Sequence, residues 1–274
     1  MKSIYAIHEV FDAIQRAKAE ASSFTTNCFP NNRKLQDWID RGELFAETFG
    51  CTALFGRVDR DFWHLYFCAP DHQQLHAALT NLPELRTERF VVDLIGVAAS
   101  LEPLLSIFQS TAFRRYKSLY RMARAAEQPQ PPTTPADERI GLAHKKDSQT
   151  ILDLICQSFD KYAEQLPVLS EIETATECHQ ILAARNGESI AGLLYFEDQG
   201  FTSTVRYWLV DRRFRDRGFG SALMRYYLHR PSPVRRFILW VIADNLHAIA
   251  KYRQHGFAPE GLLDYVLANE MIPP

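Results

Sequence analysis

The chain has 274 residues, a formal net charge of −2 at pH 7, and ordinary shares of hydrophobic (46%) and charged (23%) residues. This length allows one large domain or two small ones, and the balanced charge provides no field that would attract nucleic acid or a membrane surface. No run of 18 apolar residues occurs and residues 1–30 lack an apolar signal segment, so we expect a cytoplasmic protein.

Five cysteines occur at long, irregular spacings without a CxxC pair: Cys28, Cys51, Cys68, Cys156 and Cys178. An odd number in this pattern predicts free thiols in a reducing compartment rather than a disulfide framework or a zinc site. The histidines of the second half show no ligand spacing either, so no metal is expected.

A proline-rich segment, residues 127–136, interrupts the periodic pattern of the chain. Four prolines in ten residues are typical of a stiff, extended linker. We therefore predict two domains, at 1–126 and 137–274, each of an ordinary domain size.

The second half is typical of an α/β domain with the element order βααβββαβαββ. The predicted elements are a strand at 140–143, a helix from Asp147 or Ser148 to about Tyr162, a helix opened by a capping box at 170–173, strands at 181–185, 190–196 and 201–210, a helix from 221, a strand at 237–242, a helix at 245–255, and two short strands within 257–267. Asn186-Gly187 indicates a hairpin. We therefore expect a mixed sheet, antiparallel at first and parallel around the loop before residue 221.

The loop Arg215-Asp216-Arg217-Gly218-Phe219-Gly220 joins the strand Thr204–Val210 to the helix Ser221–Leu228. Glycines let a backbone approach an anion closely, and a helix N-terminus directs N–H groups and partial positive charge toward it. The N–H groups of Arg217 to Ser221 are expected to hold a pyrophosphate, with charge-assisted bonds from Arg215 or Arg217. A tight turn without a ligand is the alternative interpretation.

A second motif follows this loop. The loop has the pattern [Arg/Gln]-x-x-Gly-x-[Gly/Ala], and the later helix has Asn-x-x-Ala-x-x-x-Tyr, followed by Gly-Phe. The matching residues are Arg215, Gly218 and Gly220, then Asn245, Ala248, Tyr252 and Gly256-Phe257. In this order the two motifs resemble the GNAT superfamily of acyl-CoA N-acyltransferases, and the resemblance covers roughly residues 137–267.

The resemblance implies an acyl-CoA cofactor, with acetyl-CoA as the expected donor, and no metal. In this family the strand before the loop is splayed from the strand after it, and an N–H near Leu209 or Val210 would polarise the thioester carbonyl. The implied cofactor-binding residues are Leu209, Val210, Arg215, Arg217, Gly218, Phe219, Gly220, Ser221, Asn245 and Tyr252. Asn245 is also a good helix cap by residue type, and capping alone is the alternative role.

Two side chains are candidates for acid–base catalysis. The resemblance places Tyr252 by the cofactor sulfur, where a neutral phenol can protonate the leaving thiolate; a core tyrosine is the alternative. The amine must be neutral to attack, so a base is expected. Glu197 is the candidate that we select, with Glu173 and Asp211 as alternatives, and each of the three can also be a surface carboxylate.

Arg206 is a candidate for binding the substrate. Strand alternation predicts that Thr204, Arg206 and Trp208 share one face. If that face lines the acceptor cleft, Arg206 can hold a carboxylate or phosphate of the substrate. The alternative is an external salt bridge.

The first half resembles the second when it is shifted by 144 residues without gaps. Trp63–Tyr66 then falls on Tyr207–Val210, and the apolar positions of the later strand and helices coincide, which indicates an internal duplication. In this alignment Asp71 replaces Arg215, both loop glycines are lost, and Phe108 replaces Tyr252. We therefore predict a degenerate, non-catalytic GNAT-like domain at 1–126 that packs on the catalytic domain and walls its acceptor cleft.

The leading hypothesis is an acyl-CoA-dependent N-acyltransferase that transfers acetyl to a primary amine of a small molecule by direct attack in a ternary complex. The first alternative is an acyltransferase that uses a pantetheine thioester on a carrier protein. The second is a CoA-binding sensor or scaffold without turnover. The expected partner is the small-molecule amine, with no nucleic acid and no membrane.

Overall fold

The computed structural model describes residues 1–126 and 137–273, so the predicted linker at 127–136 lies outside the described residues. The chain divides into two compact units. The first unit comprises Met1–Leu119 and Gly261–Pro274, and the second comprises Tyr120–Glu260. No helix in the two described ranges has both the length and the apolar character that a membrane span requires.

The first unit is an α/β structure with helices on both faces of its sheet. Its elements are β1 (Lys2–Ser3), α1 (Ile7–Ala19), β2 (Thr25–Thr26), α2 (Asn32–Asp40), β3 (Leu44–Phe49), β4 (Thr52–Asp59), β5 (Phe62–Ala69), α3 (His72–Asn81), β6 (Phe90–Gly96), α4 (Ala98–Gln109) and the first part of β7 (Phe113–Ala125). Successive residues of β4 pack on opposite faces, as the strand geometry requires: Leu54 with α3 and α4, Phe55 with α1 and α2.

The second unit has the same construction. After the end of β7 its elements are β8 (Ile140–Leu142), α5 (Ser148–Ser158), α6 (Leu169–Glu177), β9 (Ile181–Asn186), β10 (Ser189–Gln199), β11 (Thr202–Val210), α7 (Phe219–His229), β12 (Arg236–Ile242), α8 (Leu246–Gln254) and the start of β13 (Ala258–Asn269). Helices α7 and α8 cover one face of its sheet, and α5 and α6 cover the other.

The sheet of the second unit has the order β7-β12-β11-β10-β9-β8. The β9–β10 and β10–β11 pairs are antiparallel and β11–β12 is parallel, so the predicted mixed sheet is confirmed. The predicted hairpin is also confirmed, because Asn186 pairs with Ser189 across a two-residue turn. In the first unit the order is β1-β3-β4-β5-β6-β13, and β5–β6 is the parallel pair.

Several predicted bounds differ from the structure, and helix α7 begins at Phe219 rather than at residue 221. Helix α5 ends at Ser158 rather than near Tyr162, and residues 258–269 form one long strand instead of two short ones. The capping interaction of α6 comes from Glu171, whose carboxylate accepts from Val168 N at 3.1 Å, so the helix begins one residue before the predicted box.

The two units also differ from the domains predicted at 1–126 and 137–274. Strand β13 begins in the second unit and ends in the first, where it pairs antiparallel with β6 from Leu263↔Gly96 to Ala268↔Val91. The buried Asn269 side chain anchors its end, accepting from Phe90 N at 2.9 Å and donating to Leu85 O at 3.1 Å. The last strand of the chain therefore completes the sheet of the first unit.

The repeated element order supports the predicted duplication, but the gapless shift of 144 does not hold through the loop. Strand β5 ends at Ala69 and α3 begins at His72, so two residues separate them; β11 ends at Val210 and α7 begins at Phe219, so eight residues separate them. In the structure Asp71 is the N-cap of α3 and so occupies the position of Gly218, not that of Arg215. The loop is shortened in the first unit rather than substituted.

Candidate active site

The loop between β11 and α7 leaves a helix N-terminus open. Gly218 is the N-cap residue with φ +80°, a conformation that favours glycine, and a Cβ there would have no neighbour within 4 Å. No side chain caps α7, whereas Asn245 caps α8 in the same unit. A Cβ on Gly220 would lie 3.3 Å from Val210 Cγ2 and 3.5 Å from the Trp208 ring. The two glycines thus keep space at the helix end and let α7 approach β11.

The arginines of this loop have different partners. Asp211 holds Arg213 through a 2.7 Å ion pair, which is the first cause of the lowered pKa of Asp211. In the described part of the chain Arg215 and Arg217 form no salt bridge, and both are exposed; the charge of Arg215 also contributes to the lowered pKa of Asp211. Next to the loop lies a cavity of about 550 Å³ whose lining includes Arg215, Val210 and residues of α5. Two cations are therefore available at an open helix N-terminus, a combination suited to an anionic group.

Strands β11 and β12 separate as they approach this loop, which confirms the expected splay. Their parallel register runs only from Thr202↔Arg236 to Val205↔Leu239, although β11 continues to Val210. The other edge of β11 stays paired with β10 as far as Gly192↔Val210. Backbone groups of β11 beyond Val205 are therefore without ladder partners from β12.

Gly192 is a site residue that the sequence did not reveal. A Cβ at this position of β10 would lie 2.7 Å from Leu209 O and 3.2 Å from Val210 Cα, both backbone atoms. Contacts under 3.0 Å to backbone are prohibitive, so glycine is required for β10 to support the end of β11 at this distance. An isolated glycine in a strand pattern was the only signal in the sequence.

Tyr252 of α8 lies beside the splayed end of β11. Its ring centroid is 5.2 Å from that of Trp208 and 6.0 Å from that of Phe257, and the residue is 8% exposed. Burial raises the pKa of Tyr252, so the phenol keeps its proton at neutral pH. Asn245 Oδ1 accepts from Ala248 N at 3.1 Å, which establishes its capping role.

Arg206 does not have the position that alternation predicted. The register of β10 and β11 shifts from Tyr195↔Tyr207 to Phe196↔Val205, which makes Arg206 the extra residue of a β-bulge. Val205 and Trp208 both pack with the α7 side of the sheet, so Thr204, Arg206 and Trp208 do not share one face. The prediction of a shared face is wrong because the bulge reverses the alternation.

Glu197 is the ionic partner of Arg206. Their Oε1 and Nε atoms are 3.8 Å apart, and the Tyr195 hydroxyl lies 3.3 Å from the same oxygen. The salt-bridge interpretation of Arg206 is thus realised in the structure, with both side chains partly exposed. Glu197 and Arg206 lie in one cluster, separate from the α7 side of β11 where Trp208 meets Tyr252.

Most of the second unit is similar in sequence to a known protein family. Residues 148–257 match the model of the family described as "Acetyltransferase (GNAT) family". We call the second unit, which contains this segment, the GNAT domain. No curated protein matched the sequence.

Solved structures are similar over nearly the whole chain, with identities so low that they show the fold alone. A GCN5-related N-acetyltransferase from Sphaerobacter thermophilus has 16% identity and a TM-score of 0.60, and the match covers 99% of this chain and 95% of that one. A tandem GNAT protein from the clavulanic acid biosynthesis pathway has 12% identity and a TM-score of 0.59, covering 100% and 98%. A GNAT-family acetyltransferase from Colwellia psychrerythraea has 11% identity and a TM-score of 0.56, covering 98% of both chains. Two GNAT-like units in one chain are thus an established architecture.

In the first unit the corresponding parallel strands, β5 and β6, also separate, and a side chain of the protein lies between them. The register of β5 and β6 is limited to Trp63↔Phe90 and His64↔Val91. Beyond it the buried Asn27 side chain accepts from Phe67 N at 2.7 Å and donates to Leu65 O at 3.0 Å and Asp93 O at 3.1 Å. One amide side chain therefore hydrogen-bonds to backbone groups of both β5 and β6. The corresponding groups at the end of β11 in the GNAT domain have no ladder partners from β12.

The N-terminus of α3, the helix that follows β5, is capped by a carboxylate. Asp71 Oδ1 accepts from Gln74 N at 2.8 Å, and this hydrogen bond is the first cause of the lowered pKa of Asp71. A carboxylate that caps α3 opposes a phosphate by charge and occupies the N–H that would bind it.

The loop between α5 and α6 contains a second group that sequence reasoning did not identify. The Tyr207 hydroxyl lies 2.9 Å from Gln165 O and 3.2 Å from Glu164 O. Burial, with the negative charge of Asp160, outweighs a backbone hydrogen bond and raises the pKa of Glu164 to about 7. A glutamate in an irregular loop has no pattern that would distinguish it in a sequence.

Proposed function

We propose that the GNAT domain transfers an acetyl group from acetyl-CoA to a primary amine of a small molecule, by direct attack within a ternary complex. The single observation that carries this proposal is the uncapped N-terminus of α7, with the unpaired Arg215 and Arg217, at the mouth of the splayed β11–β12 pair. Bound acyl-CoA supplies an activated thioester.

The residues of the loop fit the phosphate end of such a ligand. The N–H groups from Arg217 to Ser221 would hold the pyrophosphate, and Arg215 and Arg217 would neutralise its charge. Phe219 and Gly220 would bind the phosphates through their backbone N–H groups, since the Phe219 side chain is buried in the core and Gly220 contacts β11.

The splayed strand fits the thioester end. An N–H at Leu209 or Val210 would donate no ladder bond to β12 and would polarise the carbonyl as its oxygen gains charge. Tyr252 would donate its phenol proton to the sulfur, and Asn245 would fix the helix that carries Tyr252, with a further contact to the cofactor. Arg206 is retained as the candidate for binding the substrate, and Glu197, the base expected from the sequence, is its ionic partner.

We further propose that the first unit neither binds acyl-CoA nor catalyses transfer. The filled splay at Asn27 and the acidic cap at Asp71 support this assignment.

The test is thiol release from acetyl-CoA with a panel of amines. We expect at least one small amine to support turnover. The double variant Arg215→Gln/Arg217→Gln should raise KM for acetyl-CoA by about tenfold or more, because the loss of even one charge-assisted bond costs about tenfold in affinity. Arg235→Gln is the matched control, since this arginine precedes β12 at the opposite end of the parallel pair. Tight binding of CoA with no turnover for any amine would instead favour a sensor.

A further inference from the structure

The loop between α5 and α6, residues 159–168, is fastened to β11 next to the proposed site. Besides the Tyr207 hydroxyl contacts to Glu164 O and Gln165 O, the Phe159 ring packs edge-on against Tyr207 at 5.0 Å. Tyr207 lies two residues before Leu209. The backbone of Glu164 is thus held by the side chain of Tyr207, on the strand whose end would polarise the thioester carbonyl.

The Glu164 carboxylate is held by the turn in which it lies. Oε2 accepts from Asp160 N at 2.8 Å, and Asp160 Oδ1 in turn accepts from Tyr162 N and Ala163 N at 2.9 and 3.1 Å. Within residues 1–126 and 137–273, no donor reaches Oε1 of Glu164. One carboxylate oxygen is therefore fixed, and the other is left to exchange a proton.

The charged and titratable groups around Glu164 come from three elements. Asp160 is on the same loop, Tyr207 is on β11, and Tyr252 is on α8. The Glu164 charge adds to burial in raising the pKa of both tyrosines, and so it acts on the proposed acid, Tyr252. Arg206 and Glu171 also interact with Tyr207, with opposite signs.

We propose that Glu164 is the general base of the acyl transfer, an assignment that rests on the proposed function. The carboxylate takes one proton from the ammonium form of the acceptor, and the freed lone pair forms the N–C bond to the acyl carbon. Tyr252 gives its proton to the sulfur as the C–S bond breaks, and it recovers a proton from the acylated nitrogen. Glu164 then releases its proton to solvent, so the net products are the amide, the free thiol and one proton.

Two of the carboxylates that the sequence suggested, Glu197 and Asp211, are less suitable as bases. Glu197 is engaged with Arg206 and with the Tyr195 hydroxyl. Asp211 is paired with Arg213, which lowers its pKa and makes it a poor proton acceptor near neutral pH. Of these groups Glu164 combines a fixed position next to β11, an oxygen without a donor and an affinity for a proton near pH 7.

The first test uses the ligand-free protein and needs no acceptor. Carboxyl ¹³C shifts of glutamates, followed by NMR across pH, should include one midpoint near 7 that disappears in Glu164→Gln. Glu177→Gln, which changes an exposed carboxylate at the end of α6, should leave that midpoint in place. A Glu164 midpoint at the ordinary glutamate value would overturn the assignment.

The second test is the pH dependence of thiol release, with the amine of the panel that reacts fastest. Glu164→Gln should lower kcat/KM by about 10²–10⁴-fold and remove the acidic limb of the profile, while acetyl-CoA affinity measured by calorimetry stays that of the parent. An unchanged rate and profile, or loss of the limb in Glu197→Gln instead, would overturn the role of Glu164 alone. No turnover by the parent with any amine would contradict the proposed function itself.

Discussion

Asn27→Ala removes the side chain that bridges β5 and β6 in the first unit. Three backbone groups lose their partner: Phe67 N, Leu65 O and Asp93 O, which are bonded at 2.7, 3.0 and 3.1 Å. Asn27 is 6% exposed, so water does not readily replace the amide. A buried group left without a partner costs about 1–3 kcal/mol, and we expect a loss of about 3–5 kcal/mol in the free energy of unfolding.

The assay for this prediction is equilibrium denaturation in urea. Asn81→Ala is the matched control, because Asn81 is exposed and donates a single bond to Ala77 O near the end of α3; its effect should stay within about 0.5 kcal/mol. A loss below about 1 kcal/mol for Asn27→Ala would refute the view that this amide fills the splay. If Asn27→Ala gave the first unit the ability to bind acetyl-CoA, this would refute the view that the Asp71 cap alone is enough to prevent binding there.

Three further predictions concern the GNAT domain. Tyr252→Phe should lower kcat for thiol release by about 10²-fold with little change in acetyl-CoA affinity, and an unchanged kcat would exclude it as the acid. Gly192→Ala should destabilise the protein by about 1–3 kcal/mol and weaken acetyl-CoA binding in calorimetry, since its Cβ meets Leu209 O; parent-like values would contradict the close approach. The free energy of unfolding should fall as pH rises from about 4.5 to about 7, because folding raises the pKa of Glu164 from 4.5 to about 7 and the folded state retains the proton longer. That fall, about 3 kcal/mol at most, should be absent in Glu164→Gln, and its persistence would assign it to another group.

Local patterns in the sequence predicted much of the second unit. The Asn186-Gly187 turn, the strand before the loop, the loop itself and the Asn245 cap all depend on residues within a few positions of one another. Each of these features was predicted because short-range turn and capping chemistry determines it.

The features that were not predicted depend on partners distant in the sequence. Strand β13 could complete either sheet by its apolar pattern, and its pairing with β6 is decided by contacts across more than 160 residues. The bulge at Arg206 arises from the register with β10, so simple alternation along β11 failed. The gapless alignment of the halves failed at the loop because six loop residues are missing from the first unit, two residues against eight.

Asn27 and Glu164 could not be predicted from the sequence because their roles also depend on distant partners. Asn27 acts on backbone groups of two strands, and Glu164 acquires its proton affinity from burial and from Asp160. Neither an asparagine directly after β2 nor a glutamate in a loop has a distinctive spacing. Their roles emerge only when the sheet brings these segments together.

The most direct test of the central claim is the number of acetyl-CoA sites per chain, measured by isothermal titration calorimetry on the full-length protein. We predict one site per chain, weakened by about tenfold or more in Arg215→Gln/Arg217→Gln and unchanged in Arg235→Gln. Two sites would contradict the proposal that the first unit does not bind acyl-CoA. No site, or one site that the double substitution leaves unaffected, would contradict the assignment of the β11–α7 loop as the place where acyl-CoA binds.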